Sequence, residues 1–174
     1  MKKYELTSET KVINGVVLHR IKALKSFGNI KKGELGGWIE SEKNLSQDGD
    51  AWVCDNATVY GNAKVCDNAT VFGNTMVCDD ATVCRNARVD GNATISGDAT
   101  VRGKEDFIVF KNWWSSGRYF TWTRSNNKWK VGCFYGSGEE LIAKAYNDSK
   151  KSGREYERVV NYVESILKEE NNNK

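Results

Sequence analysis

Between Ala51 and Gly103 one aliphatic residue returns at every sixth place: Val53, Val59, Val65, Val71, Val77, Val83, Val89, Ile95 and Val101. Four residues after each of the first eight stands Ala or Thr, as at Ala57, Ala63, Ala69 and Thr75. A period of six is neither helical nor simple strand alternation. Such a period marks a stacked parallel β-helix. In a short strand the middle side chain points inward, so the Val row is predicted to be the core. The small residue suits a tight corner. Asn56, Gly61, Asn62, Asn68, Gly73, Asn74, Asp80, Asn86, Gly91, Asn92 and Asp98 suit the positive-φ backbone that such corners require.

The pattern resembles the hexapeptide-repeat, left-handed parallel β-helix family. The resemblance implies three hexapeptides per triangular coil, with residues 18 apart stacked. Nine steps then make about three coils, a prism about 14 Å tall at the usual strand spacing. Stacking sorts the outward side chains into three faces. Trp52, Cys54, Thr70, Phe72, Arg88 and Asp90 share one face. Thr58, Tyr60, Met76, Cys78, Thr94 and Ser96 share the second, and Lys64, Cys66, Thr82, Cys84, Thr100 and Arg102 the third. The first two are apolar at one end, so Trp52, Tyr60, Phe72 and Met76 are candidate interface residues. Either the chain's own terminal segments or a second subunit covers them.

Composition narrows the classes. A net charge of +3 over 174 residues does not announce double-stranded DNA binding. Met1-Lys-Lys runs into Tyr-Glu-Leu-Thr rather than an apolar stretch, so a cytoplasmic chain without a leader is expected, and no stretch reaches membrane-spanning length. The five cysteines (Cys54, Cys66, Cys78, Cys84 and Cys133) fit no Cys-x-x-Cys spacing. No metal site and no cofactor are expected, although Cys66 and Cys84 should stack as neighbours.

Three segments follow. Residues 1–50 hold a hairpin around Asn14-Gly15, the strongest two-residue turn signal, and a Gly-rich connector. Trp38, Ile39 and Leu45 are expected to lie over the first coil as its cap. Residues 51–103 are the repeat. Residues 104–174 read as an α+β module of three strands (107–111, 118–124 and 128–135) and two helices, each opened by a capping box, Ser137-Gly-Glu-Glu140 and Ser152-Gly-Arg-Glu155. The fold class is therefore mainly β: a short left-handed β-helix, an N-terminal hairpin cap and a C-terminal α+β module.

Chemistry is concentrated in the last segment. Residues 107–138 contain no acid, five basic residues and ten of the nineteen aromatics. Trp113, Trp114, Ser115, Ser116, Arg118, Tyr119, Trp122, Arg124, Lys128 and Lys130 form the candidate ligand site. Rings stack on planar groups, guanidinium pairs with phosphate, and hydroxyls donate hydrogen bonds. A nucleotide-like anion fits that set. The bland reading assigns half of these aromatics to the module's core. In hexapeptide acyltransferases the resemblance implies a histidine base. The single histidine, His19, falls in the hairpin outside the repeat, so no enzyme and no catalytic residue are expected.

The whole chain also resembles small hexapeptide proteins encoded by bacteriophages and prophages. Lys3-Tyr-Glu-Leu-Thr7, Gly33-Glu-Leu-Gly-Gly-Trp-Ile-Glu-Ser41, Asn44-Leu-Ser-Gln-Asp-Gly49, Ser115-Ser-Gly-Arg-Tyr-Phe-Thr-Trp122 and Trp129-Lys-Val-Gly-Cys-Phe-Tyr135 carry that resemblance. It implies a phage-type binding protein, a host-defence antagonist that sequesters a nucleotide-like signal. The partners expected are a second or third copy of the chain and a small anion, or else a host protein bound by the same surface. A purely structural assembly module is the third alternative.

Overall fold

The computed structural model describes residues 1–173. The chain opens with β1 (Tyr4–Ile13) and β2 (Val16–Ala23), paired antiparallel. Their turn is Asn14-Gly15, both at positive φ (51° and 79°), the geometry that matches strand twist in a two-residue hairpin. β3 (Leu35–Ile39) pairs antiparallel with β2 and parallel with the first strand of its face of the repeat.

Nine two-residue strands then follow: β4 (Trp52–Val53), β5 (Thr58–Val59), β6 (Lys64–Val65), β7 (Thr70–Val71), β8 (Met76–Val77), β9 (Thr82–Val83), β10 (Arg88–Val89), β11 (Thr94–Ile95) and β12 (Thr100–Val101). Three parallel ladders form the faces: β4-β7-β10, β6-β9-β12, and β5-β8-β11, the last extended by the hairpin and β3 into one six-stranded sheet. Every core Val, Ile95 and all the repeat's corner Ala residues are buried in one continuous cluster.

The solenoid is longer than the repeat alone suggests, at about four turns. Ile39 pairs with Val59 and Leu45 bridges to Val65, so both continue the inward aliphatic stack instead of lying across its end. This first coil escapes the six-residue pattern because the corner at 46–50 carries two extra residues. That corner is sewn down by the N-terminus. Lys3 Nζ donates to the carbonyls of Asp48, Gly49 and Ala51, and the Gln47 side chain accepts from Lys3 N–H.

Corner chemistry divides between two residue positions. Positive φ occurs at Asp55, Gly61, Gly73, Asp67, Asp79, Arg85, Gly91 and Gly97, one place before the Asn column. The Asn residues instead ladder between coils, Asn56 to Asn74 and Asn68 to Asn86, with Asn62 reaching Asp80. Each left-handed Asp turns its carboxylate onto the next coil's backbone. Asp55, Asp67 and Asp79 accept from the N–H groups of Gly73, Arg85 and Gly97.

The C-terminal sheet has four strands rather than three: β13 (Phe107–Lys111), β14 (Tyr119–Thr123), β15 (Lys128–Val131) and β16 (Phe134–Gly136). A turn at Gly132-Cys133 splits the third predicted strand. Helix α1 (Gly138–Asp148) starts at the predicted Ser137 box. Helix α2 (Lys150–Asn172) starts three residues before the second predicted box. Ser149 accepts from Ser152 N–H, which leaves Ser152-Gly-Arg-Glu155 inside the helix. The sheet lies between two layers. Phe107 and Val109 pack on the solenoid core, while Ile108, Phe110, Phe120 and Trp129 pack with both helices. Among the described residues no helix is long and apolar enough to cross a membrane.

Candidate functional site

A cavity of about 310 Å³ opens where the β15–β16 turn meets α1 and the loop 112–118. That is near the lower limit of ligand pockets, about 300–1,000 Å³. Its loop wall is Asn112, Ser115, Ser116 and Arg118, and its turn wall is Val131, Gly132, Cys133 and Phe134. Helix α1 supplies Leu141, Lys144, Ala145 and Asp148 at helical spacing, and α2 supplies Ser152 and Tyr156. Apolar groups thus form the floor, and the exposed side chains around it are two cations (Arg118 and Lys144), hydroxyls and one carboxylate, Asp148.

The floor is held by one polar anchor. Asn112 is buried; its Nδ2 donates to Tyr156 Oη at 3.1 Å, and its Oδ1 accepts from Ser115 N–H and Oγ. That arrangement fixes the loop's first turn and aims Ser115 and Ser116 at the opening. Burial raises the Tyr156 phenol above its ordinary pKa, so the hydroxyl stays protonated. Arg118 is exposed, and its guanidinium hangs over Gly132: a Cβ there would stand 3.2 Å from Nη1. Gly132 is also at positive φ, so the turn and the approach of Arg118 depend on the same residue.

The ten predicted ligand residues do not converge. Ser115, Ser116 and Arg118 line the cavity. Trp113, 72% exposed, and Tyr119 lie outside its lining, with Lys111 Nζ 5.7 Å from the Tyr119 ring. Trp114 and Trp122 belong to the module's core, packed with Phe120, Trp129 and Tyr156, so neither ring can stack on a ligand. Arg124 is committed: it bonds the Glu105 carbonyl and both carboxylate oxygens of Glu170. Lys128 and Lys130 are register partners of Thr123 and Thr121, on the solenoid side of the sheet. The bland reading therefore holds for the buried aromatics, because both faces of the sheet are covered.

The predicted interface residues are largely spoken for within the chain. Trp52 is 1% exposed, with Tyr4 and Phe27 edge-on to its ring at 6.2 and 5.4 Å. Tyr60 Oη accepts from Asn14 of the hairpin and donates to Met76 Sδ. Phe72 is half-buried beneath the Arg88 guanidinium. His19 sits within β2, its ring Nδ1 3.3 Å from the Thr7 carbonyl.

Sequence reasoning missed Asn112, Cys133, Lys144, Asp148, Ser152 and Tyr156. A signal existed for part of this set. Leu141, Lys144, Ala145 and Asp148 follow helical spacing, and a stripe that changes from apolar to charged marks the rim of a pocket as well as the edge of a core.

Fold and cavity together define a short hexapeptide-type β-solenoid that carries an α+β module with a ligand-sized cavity. Comparison with known proteins agrees on the solenoid. Residues 63–79 match the YdcK β-solenoid repeat. An Escherichia coli (strain K12) protein named "Uncharacterized acetyltransferase YdcK" is 31% identical over 67 residues, 34% of this chain. The chain spans 21% of the length of that curated relative.

Proposed function

We propose that this chain is a non-enzymatic binding protein that sequesters a small nucleotide-like anion in the cavity between the 112–118 loop and α1. In the phage setting implied by the sequence resemblance, the protein acts as a host-defence antagonist that withdraws a signal molecule. The observation that carries the binding reading is the rim itself. Arg118 and Lys144 supply positive charge beside the single carboxylate of Asp148, Ser116 and Ser152 supply hydroxyl donors, and the apolar floor of Leu141, Ala145 and Phe134 accepts a base or ring. The solenoid then serves as a rigid spacer that presents this module.

Thermal shift against a panel of linear and cyclic nucleotides tests the reading. At least one is expected to raise the Tm of the wild-type chain, with binding weakened about 10-fold or more in Arg118→Ala, since a charge-assisted hydrogen bond contributes about 1.5–3 kcal/mol. Trp122→Phe should leave affinity unchanged. A flat panel, or equal affinity in Arg118→Ala and Lys144→Ala, overturns it.

A second reading rests on one observation, the relative named as an acetyltransferase. On that reading the solenoid carries acyl transfer. Turnover of acetyl-CoA by the purified chain, lost in His19→Ala, would establish it in place of the first.

A further inference from the structure

Four of the five cysteines occupy the same step of the repeat, directly after a core Val. Their stacking partners differ. Cys54 stands over Phe72 on one ladder. Cys78 stands between Tyr60 and Ser96 on another, and donates toward Asp79. Only Cys66 and Cys84 are stacked on each other, following the in-register pair Val65–Val83 of β6 and β9. Asp67 completes the group. Both Sγ atoms and an Asp67 carboxylate oxygen lie within 4.8 Å of one another.

We propose that Cys66, Asp67 and Cys84 form a binding site for a thiophilic divalent cation of the zinc class. The donor set is chemically apt: two thiolates and a carboxylate supply three protein ligands, and the solvent-facing side leaves the fourth tetrahedral position to water. The spacing is close to what such an ion needs. With metal–sulfur bonds of about 2.3 Å, tetrahedral sulfurs stand about 3.8 Å apart. The two sulfurs must therefore draw together by about 1 Å at most, and the carboxylate oxygen must approach them by slightly more. The backbone beneath them is rigid, since Cys66 N–H bonds the Val83 carbonyl and Cys84 N–H bonds the Val101 carbonyl.

Asp67 is already oriented. It stands at φ 59°, and its Oδ2 accepts from Arg85 N–H at 2.8 Å. That bond leaves the other oxygen free for a metal and supports the ligand from behind, as outer-shell contacts do in metal sites. Uptake releases the two thiol protons to solvent. A disulfide is the competing use of the pair. It would engage the two sulfurs alone and leave Asp67 with only its corner bond to Arg85 N–H, whereas a cation uses all three groups.

The test uses the full chain, reduced and treated with a chelator, titrated with Cd²⁺ while the sulfur-to-metal charge-transfer absorbance is followed. Competition with Zn²⁺ and the rate of thiol alkylation supply separate readouts. One ion per chain is expected, with Cys66 and Cys84 protected from alkylation by Zn²⁺. Cys66→Ser and Cys84→Ser should lose the absorbance, Asp67→Asn should bind at least about 10-fold more weakly, and Cys54→Ser should bind as wild type. Circular dichroism confirms that each variant keeps its fold. The assignment is overturned if the reduced wild type takes up no ion, if uptake survives in Cys66→Ser, or if Zn²⁺ leaves alkylation of the pair unchanged.

Discussion

Lys3 is a cation placed where cations are costly. It is buried, its ammonium donates to three carbonyls at the irregular corner, and it stands 5.1 Å from the Phe27 ring. Desolvation lowers its pKa to about 8, outweighing the attraction of Asp50 and Asp48. Between about pH 8 and the ordinary lysine value near 10.4, the unfolded chain therefore binds more protons than the folded one. Stability contributed through Lys3 rises with pH in that window. Tyr4 works in the opposite sense higher up. Burial raises its phenol, so the unfolded tyrosine ionises first and stability falls above about pH 10. The clean interval is thus about pH 7 to 9.5. Lys3→Met should be less stable than wild type throughout, because three carbonyls lose their donor. The gap in urea midpoint should widen as pH rises over that interval. If Lys3 acted only as a positive anchor, deprotonation would close the gap instead, so a narrowing gap defeats this account.

At the scale of elements, α2 shows two local effects of opposite sign at one position. Gly153 is helical, and Gly→Ala in a helix interior ordinarily gains about 1 kcal/mol. Here a Cβ would stand 2.3 Å from the Tyr146 ring of α1, and Tyr146 is itself tied to Glu157 by a 2.7 Å hydrogen bond. Overpacking costs about 1–3 kcal/mol and wins. Gly153→Ala should lower Tm by a few degrees, and Gly153→Ala with Tyr146→Ala should recover most of the loss; a raised Tm in the single variant would show that the ring moves freely. The same residue explains a limit of reading the chain by eye. Ser152-Gly-Arg-Glu155 has the form of a capping box, yet Ser149 caps first and close packing on Tyr146 keeps the glycine inside. The Val row, the Asn14-Gly15 hairpin and the Ser137 cap were legible because each is set by neighbours in sequence. Ile39 and Leu45 were misread as a lid because two extra residues at 46–50 break the period. Trp114 and Trp122 were unreadable as core, since their burial depends on helices placed over one face of a sheet whose other face meets the solenoid. Of the candidate site, the 115–118 stretch was visible. The Asn112–Tyr156 anchor joins residues far apart in sequence and was not.

For the molecule as a whole, the two solenoid ends are closed by different means. At the top, β3 continues the backbone ladder and the hairpin extends it sideways. At the bottom, among the described residues, no strand continues the ladder, and side chains of the C-terminal module take its place. Thr94 N–H donates to Thr121 Oγ1 at 2.9 Å, Thr100 N–H to Ser125 Oγ at 2.7 Å, and Asn126 Nδ2 to Asp98. A stacked array loses coils from whichever end is less well capped, because each coil contacts only its neighbours. Thr121→Val keeps the shape but removes the acceptor, which leaves the Thr94 N–H unpaired at a cost of about 1–3 kcal/mol. The loss should be felt locally. In native-state hydrogen exchange, the amides of Met76 and Cys78, which bond the carbonyls of Ala93 and Ile95 in the final coil, should exchange about 10-fold faster or more in the variant. The Trp38 amide, bonded to the Ala57 carbonyl at the other end, should keep its wild-type rate. Uniform acceleration at both ends would mean instead that the solenoid opens as one unit with the module, and that the side-chain cap acts on global stability alone.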